Sequence, residues 1–93
     1  MGKVAMAIDY KLRAEFSPAR LAVEDESSQH HGHAGWREGG ETHFRVEIVS
    51  AAFEGQSRVA RQRLVYAALK DEFAAGLHAL ALSTLTPEED KKS

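Results

Sequence analysis

The chain has 93 residues, of which 43% are hydrophobic and 28% charged, and its formal net charge is −2. These values predict one small globular domain over residues 1–93 and argue against a protein that coats nucleic acid through its overall charge. The absence of cysteine excludes a disulfide framework, a cysteine nucleophile and an iron–sulfur site built from the chain's own thiolates. No apolar run approaches the roughly 18 residues of a membrane span, and charges interrupt the N-terminal stretch. We therefore expect a cytoplasmic protein without a signal peptide.

The first half of the chain predicts a helix followed by two strands. Apolar residues recur at every fourth position, which predicts an amphipathic helix over residues 3–16. Ser17 can cap a helix and Pro18 suits a first helical position, so a short turn is expected there. Alternation of apolar and polar residues then predicts a short strand at about 20–26 and a half-buried strand at about 42–50. The stretch between these strands is rich in glycine and histidine and is expected to form a loop.

The second half predicts a long helix, a third strand and a closing helix. Helical periodicity runs from Ser57 to Ala75, and Gly76 is suited to ending this helix. Residues 77–85 are expected to form a strand, and Thr86 with Glu89 has the spacing of a capping box. The predicted apolar stripe of the long helix comprises Leu64, Val65, Ala68, Leu69 and Phe73.

The predicted order of elements is α-β-β-α-β-α, without internal repeats. The first two strands can pair antiparallel through the loop. The long helix then forms a crossover, so the third strand should run parallel to the second. We therefore expect an α+β fold with a three-stranded mixed sheet and helices packed on one face.

The common catalytic arrangements are absent from the sequence. The serines lie in turn or capping contexts, and no Gly-x-Ser-x-Gly nucleophile elbow is present. The glycine-containing stretches match neither a phosphate-binding Walker loop nor a dinucleotide-binding fingerprint. The acidic run Glu24–Glu26 lies at a strand end, where solvated charge is the usual explanation. We expect no enzymatic activity.

A basic face on the long helix has two interpretations. Its cations could contact nucleic-acid phosphates, or they could form an ordinary solvated face beside Asp71 and Glu72. The sequence alone favours the second interpretation. These cations, which fall largely off the apolar stripe, are Arg58, Arg61, Arg63 and Lys70.

Histidine is the chain's candidate metal ligand. His30, His31 and His33 lie in the predicted loop, where they are either polar filler or ligands. His43 opens the second strand, and we expect it to be structural. His78 opens the third strand at one end of the apolar face, where it is either a satisfied core residue or a ligand. Parallel pairing would bring His43 and His78 to the end of the sheet where the loop opens, and two imidazoles there would suit a borderline metal completed by a partner.

Three blocks of the sequence resemble the BolA family. "LAVEDESSQHH" is similar to the family's strand with Glu-Ser-x-x-His, and "ETHFRVEIVSAAFEGQSRVARQRLVYAAL" to its Thr-His-Phe strand, Phe-x-Gly turn and basic helix. "GLHALALSTLTPEE" resembles the closing Val-His-Ala-Leu strand and Thr-Pro helix. The resemblance covers residues 3–90 and implies an αββαβα fold similar to a class II KH domain but without the Gly-x-x-Gly loop.

The resemblance implies a function in iron–sulfur trafficking or iron homeostasis. Such a protein binds a monothiol glutaredoxin and shares with it a [2Fe-2S] cluster, which is also held by the glutaredoxin cysteine and a glutathione thiol. Carried over by position, the strand ligand is His78 and the loop ligand is His30, with His31 and His33 as competitors. Mixed imidazole and thiolate ligation raises the potential of such a cluster. The isolated chain is expected to be a monomer without a cluster.

The family is also described as DNA-binding transcription regulators involved in cell shape and the stress response. The alternative function is therefore a regulator that binds double-stranded DNA through the basic helix, which would use Arg58, Arg61, Arg63 and Lys70. The family's usual Arg-His-Arg on this helix is Arg61-Gln62-Arg63 here.

Overall fold

The computed structural model describes residues 2–26 and 42–92 of the chain. These residues form an α+β fold, as predicted, with a three-stranded sheet and four α-helices. The similarity to class II KH domains stays a prediction. The elements are α1 (Lys3–Phe16), β1 (Arg20–Asp25), β2 (His43–Val49), a 3-10 turn (Ala51–Phe53), α2 (Arg58–Ala68), α3 (Lys70–Ala74), β3 (Ala79–Leu85) and α4 (Pro87–Lys92).

The sheet has the strand order β1-β2-β3 and the predicted mixed topology. β1 pairs antiparallel with β2, with Arg20 opposite Val49. β2 pairs parallel with β3, with His43 opposite Ala79. Because β2 and β3 run in the same direction, their first residues lie at the same end of the sheet.

The helices α1 and α2 pack against one face of this sheet. Phe44, Val46 and Ile48 of β2 belong to the same buried cluster as the apolar residues of both helices, whereas the intervening Arg45 is exposed. This alternation confirms the predicted half-buried strand. No helix in the described ranges is long and apolar enough to span a membrane.

Helix α1 ends at a serine in the left-handed αL conformation, a position that glycine usually occupies. Ser17 has φ 44° and ψ 55°, and its N–H donates to the Arg13 carbonyl at 3.1 Å. Ser17 therefore ends α1, the chain bends at Ala19, and β1 begins at Arg20, so the predicted turn with Pro18 in a first helical position is not formed.

The long helix predicted from Ser57 to Ala75 is divided into α2 and α3. Leu69 lies between them with φ −104° and ψ 16° and is fully buried. The rings of Tyr66 and Phe73 lie 5.5 Å apart across this break. No proline or glycine marks the position, so the sequence carries no conventional signal for it. The expected stop at Gly76 is confirmed by its φ of 126°.

Two residues of α2 lie on the opposite face of the helix from the one predicted. Leu64 is 42% exposed, whereas Arg61 is only 9% exposed. Arg61 precedes the buried Val65 by four residues and Leu69 by eight, and this spacing places all three on one side of the helix. The prediction that Arg61 lies on the solvated face is therefore wrong.

The Arg61 guanidinium joins α2 to β3 and α4. Its Nε donates to the Gln56 carbonyl at 2.9 Å, and its Nη1 donates to the Thr84 carbonyl at 3.1 Å. The same Nη1 donates to Glu89 Oε1 at 2.7 Å, and Nη2 donates to Oε2 at 3.2 Å. These bonds compensate for burying the charge.

Candidate metal site at one end of the sheet

The backbone before β3 is fixed to the start of β2. The carbonyl of Thr42 accepts the N–H of His78 at 2.8 Å and the N–H of Ala79 at 3.1 Å. His43 is the first residue of β2, and His78 immediately precedes β3. Both histidines therefore lie at the same end of the sheet, as predicted from parallel pairing.

The two imidazole rings are neighbours, with centroids 5.1 Å apart and ring planes at 53°. His43 is 5% exposed, and its Nδ1 is hydrogen-bonded to Thr42 Oγ1 at 2.9 Å. His78 is exposed, although it has the same parity as the half-buried Leu80 and Leu82. His78 is thus the accessible imidazole, and His43 forms part of its support.

The two described residues that flank the stretch 27–41 both lie at this end of the sheet. The N–H of Glu26 donates to the His43 carbonyl at 2.8 Å, so residue 26 and residue 42 both lie at this end of the sheet. The Glu26 carboxylate pairs with Arg45 Nε at 2.9 Å, and this hydrogen bond raises the pKa of Arg45. The predicted loop ligands His30, His31 and His33 lie outside the described residues.

The nitrogen donors described at this end of the sheet are two imidazoles, and the Glu26 carboxylate beside them is paired with Arg45. A neutral imidazole offers one nitrogen to a metal, and its other nitrogen fixes the tautomer through a hydrogen bond. Residues 2–26 and 42–92 contain no group of three or more His, Cys, Asp or Glu side chains placed to hold a metal ion. The arrangement can therefore supply one accessible nitrogen ligand, with a second imidazole behind it.

The predicted basic face is smaller in the structure than in the sequence. Arg58, Arg63 and Lys70 are exposed, whereas Arg61 is turned inward to Glu89. The acidic pair beside Lys70 is held by α1, because Lys11 Nζ bonds Glu72 at 2.9 Å and Asp71 at 3.4 Å. Three separated cations therefore face solvent along α2 and α3.

Sequence reasoning missed the role of Arg61 as a buried connector. The available signal was its spacing from Val65 and Leu69, which places it on the buried side of α2 whatever its charge. Its partner Glu89 was recognised only as a capping residue, although its carboxylate also binds Arg61.

Comparisons with known proteins identify the family. A family model described as BolA-like protein matches residues 12–89. The chain is 52% identical over 81 residues to "Protein BOLA1, chloroplastic" of Arabidopsis thaliana, covering 85% of this chain and 51% of that protein. It is 41% identical over 88 residues to "DNA-binding transcriptional regulator BolA" of Haemophilus influenzae, covering 95% of this chain and 82% of that protein.

Solved structures agree with this assignment. The BolA domain of SufE1 from Arabidopsis thaliana superposes with a TM-score of 0.87 at 49% identity, covering 96% of this chain and 98% of that domain. The chain spans about half the length of the chloroplastic BOLA1 and 25% of the full SufE-like protein 1 of the same organism. The matches cover nearly all of this chain in sequence and in fold, and the chain belongs to the BolA-like protein family.

Proposed function

We propose that this chain is an adaptor in iron–sulfur trafficking or iron homeostasis that binds a monothiol glutaredoxin and shares a [2Fe-2S] cluster with it. The observation that carries the proposal is the placement of His78. Its imidazole is exposed, its backbone is fixed to β2, and it lies where the histidine-bearing stretch 27–41 begins and ends.

The donor chemistry of this end of the sheet fits such a cluster. The chain has no cysteine, so it can offer imidazole nitrogen but no thiolate. Thiolate ligands would come from the glutaredoxin cysteine and from glutathione, and a loop histidine (His30, with His31 and His33 as alternatives) would join His78. The cluster is the cargo of this exchange, and mixed nitrogen and sulfur ligation would raise its potential.

The chain's own contribution is the orientation of the ligand. The Thr42 carbonyl fixes the main chain of His78, and the His43 ring packs beside the His78 ring. A ligand held in this way needs little reorganisation when a partner arrives. The role is non-enzymatic, in line with the regulator named among the relatives.

The test is to co-express the chain with a monothiol glutaredoxin and to record the visible absorption of the purified complex. A heterodimer that contains iron should elute as one species, with a spectrum distinct from that of the glutaredoxin cluster alone. The chain expressed alone serves as the control and should bind no stable cluster. A mixture whose spectrum is that of the glutaredoxin alone, with the two proteins eluting separately, contradicts the proposal.

The alternative function is that of a DNA-binding transcription regulator. Two observations favour it: the relative of Haemophilus influenzae carries that name, and Arg58, Arg63 and Lys70 are exposed on α2 and α3. Duplex titrations of the same preparations separate the two functions, because phosphate contacts produce a strong salt dependence. Arg61 is not available to this surface, since Glu89 and Thr84 occupy its guanidinium.

A further inference from the structure

A small groove lies between α2 and the outer edge of β3. It has a volume of about 120 Å³ and is lined by Arg58 and Gln62 on the helix side and by residues 82–85 on the strand side. The two helix residues are four positions apart and therefore lie on the same face of α2. The groove is thus bordered by one face of a helix and by a strand edge.

The outer edge of β3 presents main-chain hydrogen-bonding groups to this space. The Ala79 N–H donates to the Thr42 carbonyl and the Leu85 carbonyl accepts the Ser50 N–H, and Thr42 and Ser50 directly flank β2. The alternation of a strand therefore directs the main chain of Leu80, Leu82 and Thr84 away from β2. The Thr84 carbonyl is taken by Arg61, at the end of the strand. Within the described residues, no strand pairs along the rest of this edge.

The charge beside the groove is positive. Arg58 is exposed and has no ion pair with any residue of the described ranges. Glu89 follows this end of β3, but its carboxylate is paired with Arg61 and also accepts the Thr86 N–H. A ligand that binds in the groove would therefore lie beside the guanidinium of Arg58, which has no carboxylate partner among the described residues.

We propose that this groove binds an extended, acidic peptide segment of a partner protein by strand addition to β3. In this mode the main chain of the peptide bonds the open strand edge, and a carboxylate of the peptide pairs with Arg58. A peptide fits better than a nucleic acid, because the edge offers alternating donors and acceptors and the groove has a single cation, whereas nucleic-acid binding uses several phosphate contacts. The groove lies toward the C-terminal end of β3, away from His78, so the inference does not depend on the proposed function.

The test uses synthetic hexapeptides of alternating threonine and valine, with one aspartate placed at each position in turn. They are titrated into the isotope-labelled full chain and followed by NMR. We expect shifts at Arg58, Gln62 and the edge residues, with new protection against hydrogen exchange for the N–H groups of Leu80 and Leu82. Peptides with lysine in place of aspartate should bind less tightly.

A charge-reversal pair provides the matched control. Arg58→Glu should weaken binding of the aspartate peptides roughly tenfold, because an attractive pair becomes repulsive. Arg63→Glu, on the same helix but away from the groove, should change the affinity by less than about twofold. Glutamate suits the first turn of α2, so Arg58→Glu should preserve the fold.

Three results would overturn the inference. The first is that no aspartate peptide shifts the β3 edge. The second is that the Leu80 and Leu82 N–H groups are already protected in the free chain, which would mean that another part of the chain covers the edge. The third is that a single-stranded oligonucleotide of eight thymidines binds these residues more tightly than any peptide, which would assign the groove to nucleic acid.

Discussion

His43 and His78 are chemically identical side chains placed in different environments. His43 is buried and bonded to Thr42, whereas His78 is exposed with its main chain held by the Thr42 carbonyl. A ligand must be accessible to its metal, and a supporting residue must hold the ligand in place. The structure therefore favours His78 as the ligand and His43 as its support.

His78→Ala should abolish the spectral change produced when the chain meets a cluster-loaded glutaredoxin. The neighbouring imidazole of His43 should not replace it, because His43 is 5% exposed and its Nδ1 is bonded to Thr42 Oγ1. His30→Ala should weaken the complex only in part, since His31 and His33 follow within three residues and can substitute. The measurement is the visible spectrum of the mixed proteins at matched cluster content.

Replacing His30, His31 and His33 together should match the loss caused by His78→Ala. If the triple replacement leaves the spectrum intact, these histidines are not ligands, and His43 becomes the candidate for the second position. A far-ultraviolet circular dichroism spectrum of each variant provides the control for folding.

Single residues show where sequence reasoning succeeds and where it fails. The two histidines could be placed together because strand pairing fixes the position of backbone atoms. The inward direction of Arg61 was missed because its charge was given more weight than its spacing from Val65 and Leu69. The exposure of His78 is a tertiary property that the alternation of side chains along a strand does not determine.

Helix α4 is connected to the rest of the molecule through its first turn. Glu89 Oε1 accepts the Thr86 N–H at 2.9 Å, and the Glu89 N–H donates to Thr86 Oγ1 at 3.2 Å, which confirms the predicted capping box. The same carboxylate binds Arg61 of α2. The hydrogen bond from Arg61, followed by that from Thr86, lowers the pKa of Glu89 to about 2.

Glu89→Gln should destabilise the chain near neutral pH and remove part of its acid sensitivity. A carboxylate whose pKa is lower in the folded state stabilises that state above its unfolded pKa of 4.5 and loses this effect as the pH falls toward 2. The difference in the free energy of unfolding between the wild type and Glu89→Gln should therefore shrink between pH 5 and about pH 2. Urea unfolding at a series of pH values measures it.

Glu88→Gln is the matched control for this experiment. Glu88 lies on the same short helix, but its exposed carboxylate pairs with Lys92 at 3.3 Å and with no other cation of residues 2–26 and 42–92. Its replacement should change the stability little at any of these pH values. An equal effect of both substitutions would mean that the Arg61 contact does not stabilise the fold.

Most elements were predictable because their signals are local. The start and end of α1 follow from the repeat of apolar residues, and the alternation in β2 follows from one buried face. The break at Leu69 was not predictable, because its sequence is helical on both sides and the change occurs at a fully buried side chain. Packing, which involves residues distant in sequence, decides such details.

At the scale of the whole molecule, the topology determines where the candidate site lies. A crossover between β2 and β3 makes them parallel, and parallel strands begin at one edge. That rule predicted the neighbouring positions of His43 and His78 from the order of elements alone. The predicted loop ligands His30, His31 and His33 follow from no such rule, and they lie outside the described residues.

A single hydrophobic core holds this topology together. Leu12 of α1 is fully buried in a cluster that also contains Val46 and Ile48 of β2 and Val65 of α2. Leu12→Ala should therefore lower the free energy of unfolding by about 2–5 kcal/mol, because it leaves a cavity shared by both layers. Loss of α1 packing should unfold helices and sheet together, since a domain of this size usually unfolds in one step.

Met6→Ala on the same helix is the matched control for Leu12→Ala. Met6 is 57% exposed, so its replacement should change the free energy of unfolding by no more than about 0.5 kcal/mol. Urea unfolding followed both by circular dichroism and by the NMR signal of the His78 ring measures both effects. Coincident transitions would show that the sheet end bearing His78 is stabilised by the core under α1. A His78 signal that changes at lower urea than the helices would instead show that this end of the sheet unfolds independently, and a ligand on it would not be preorganised.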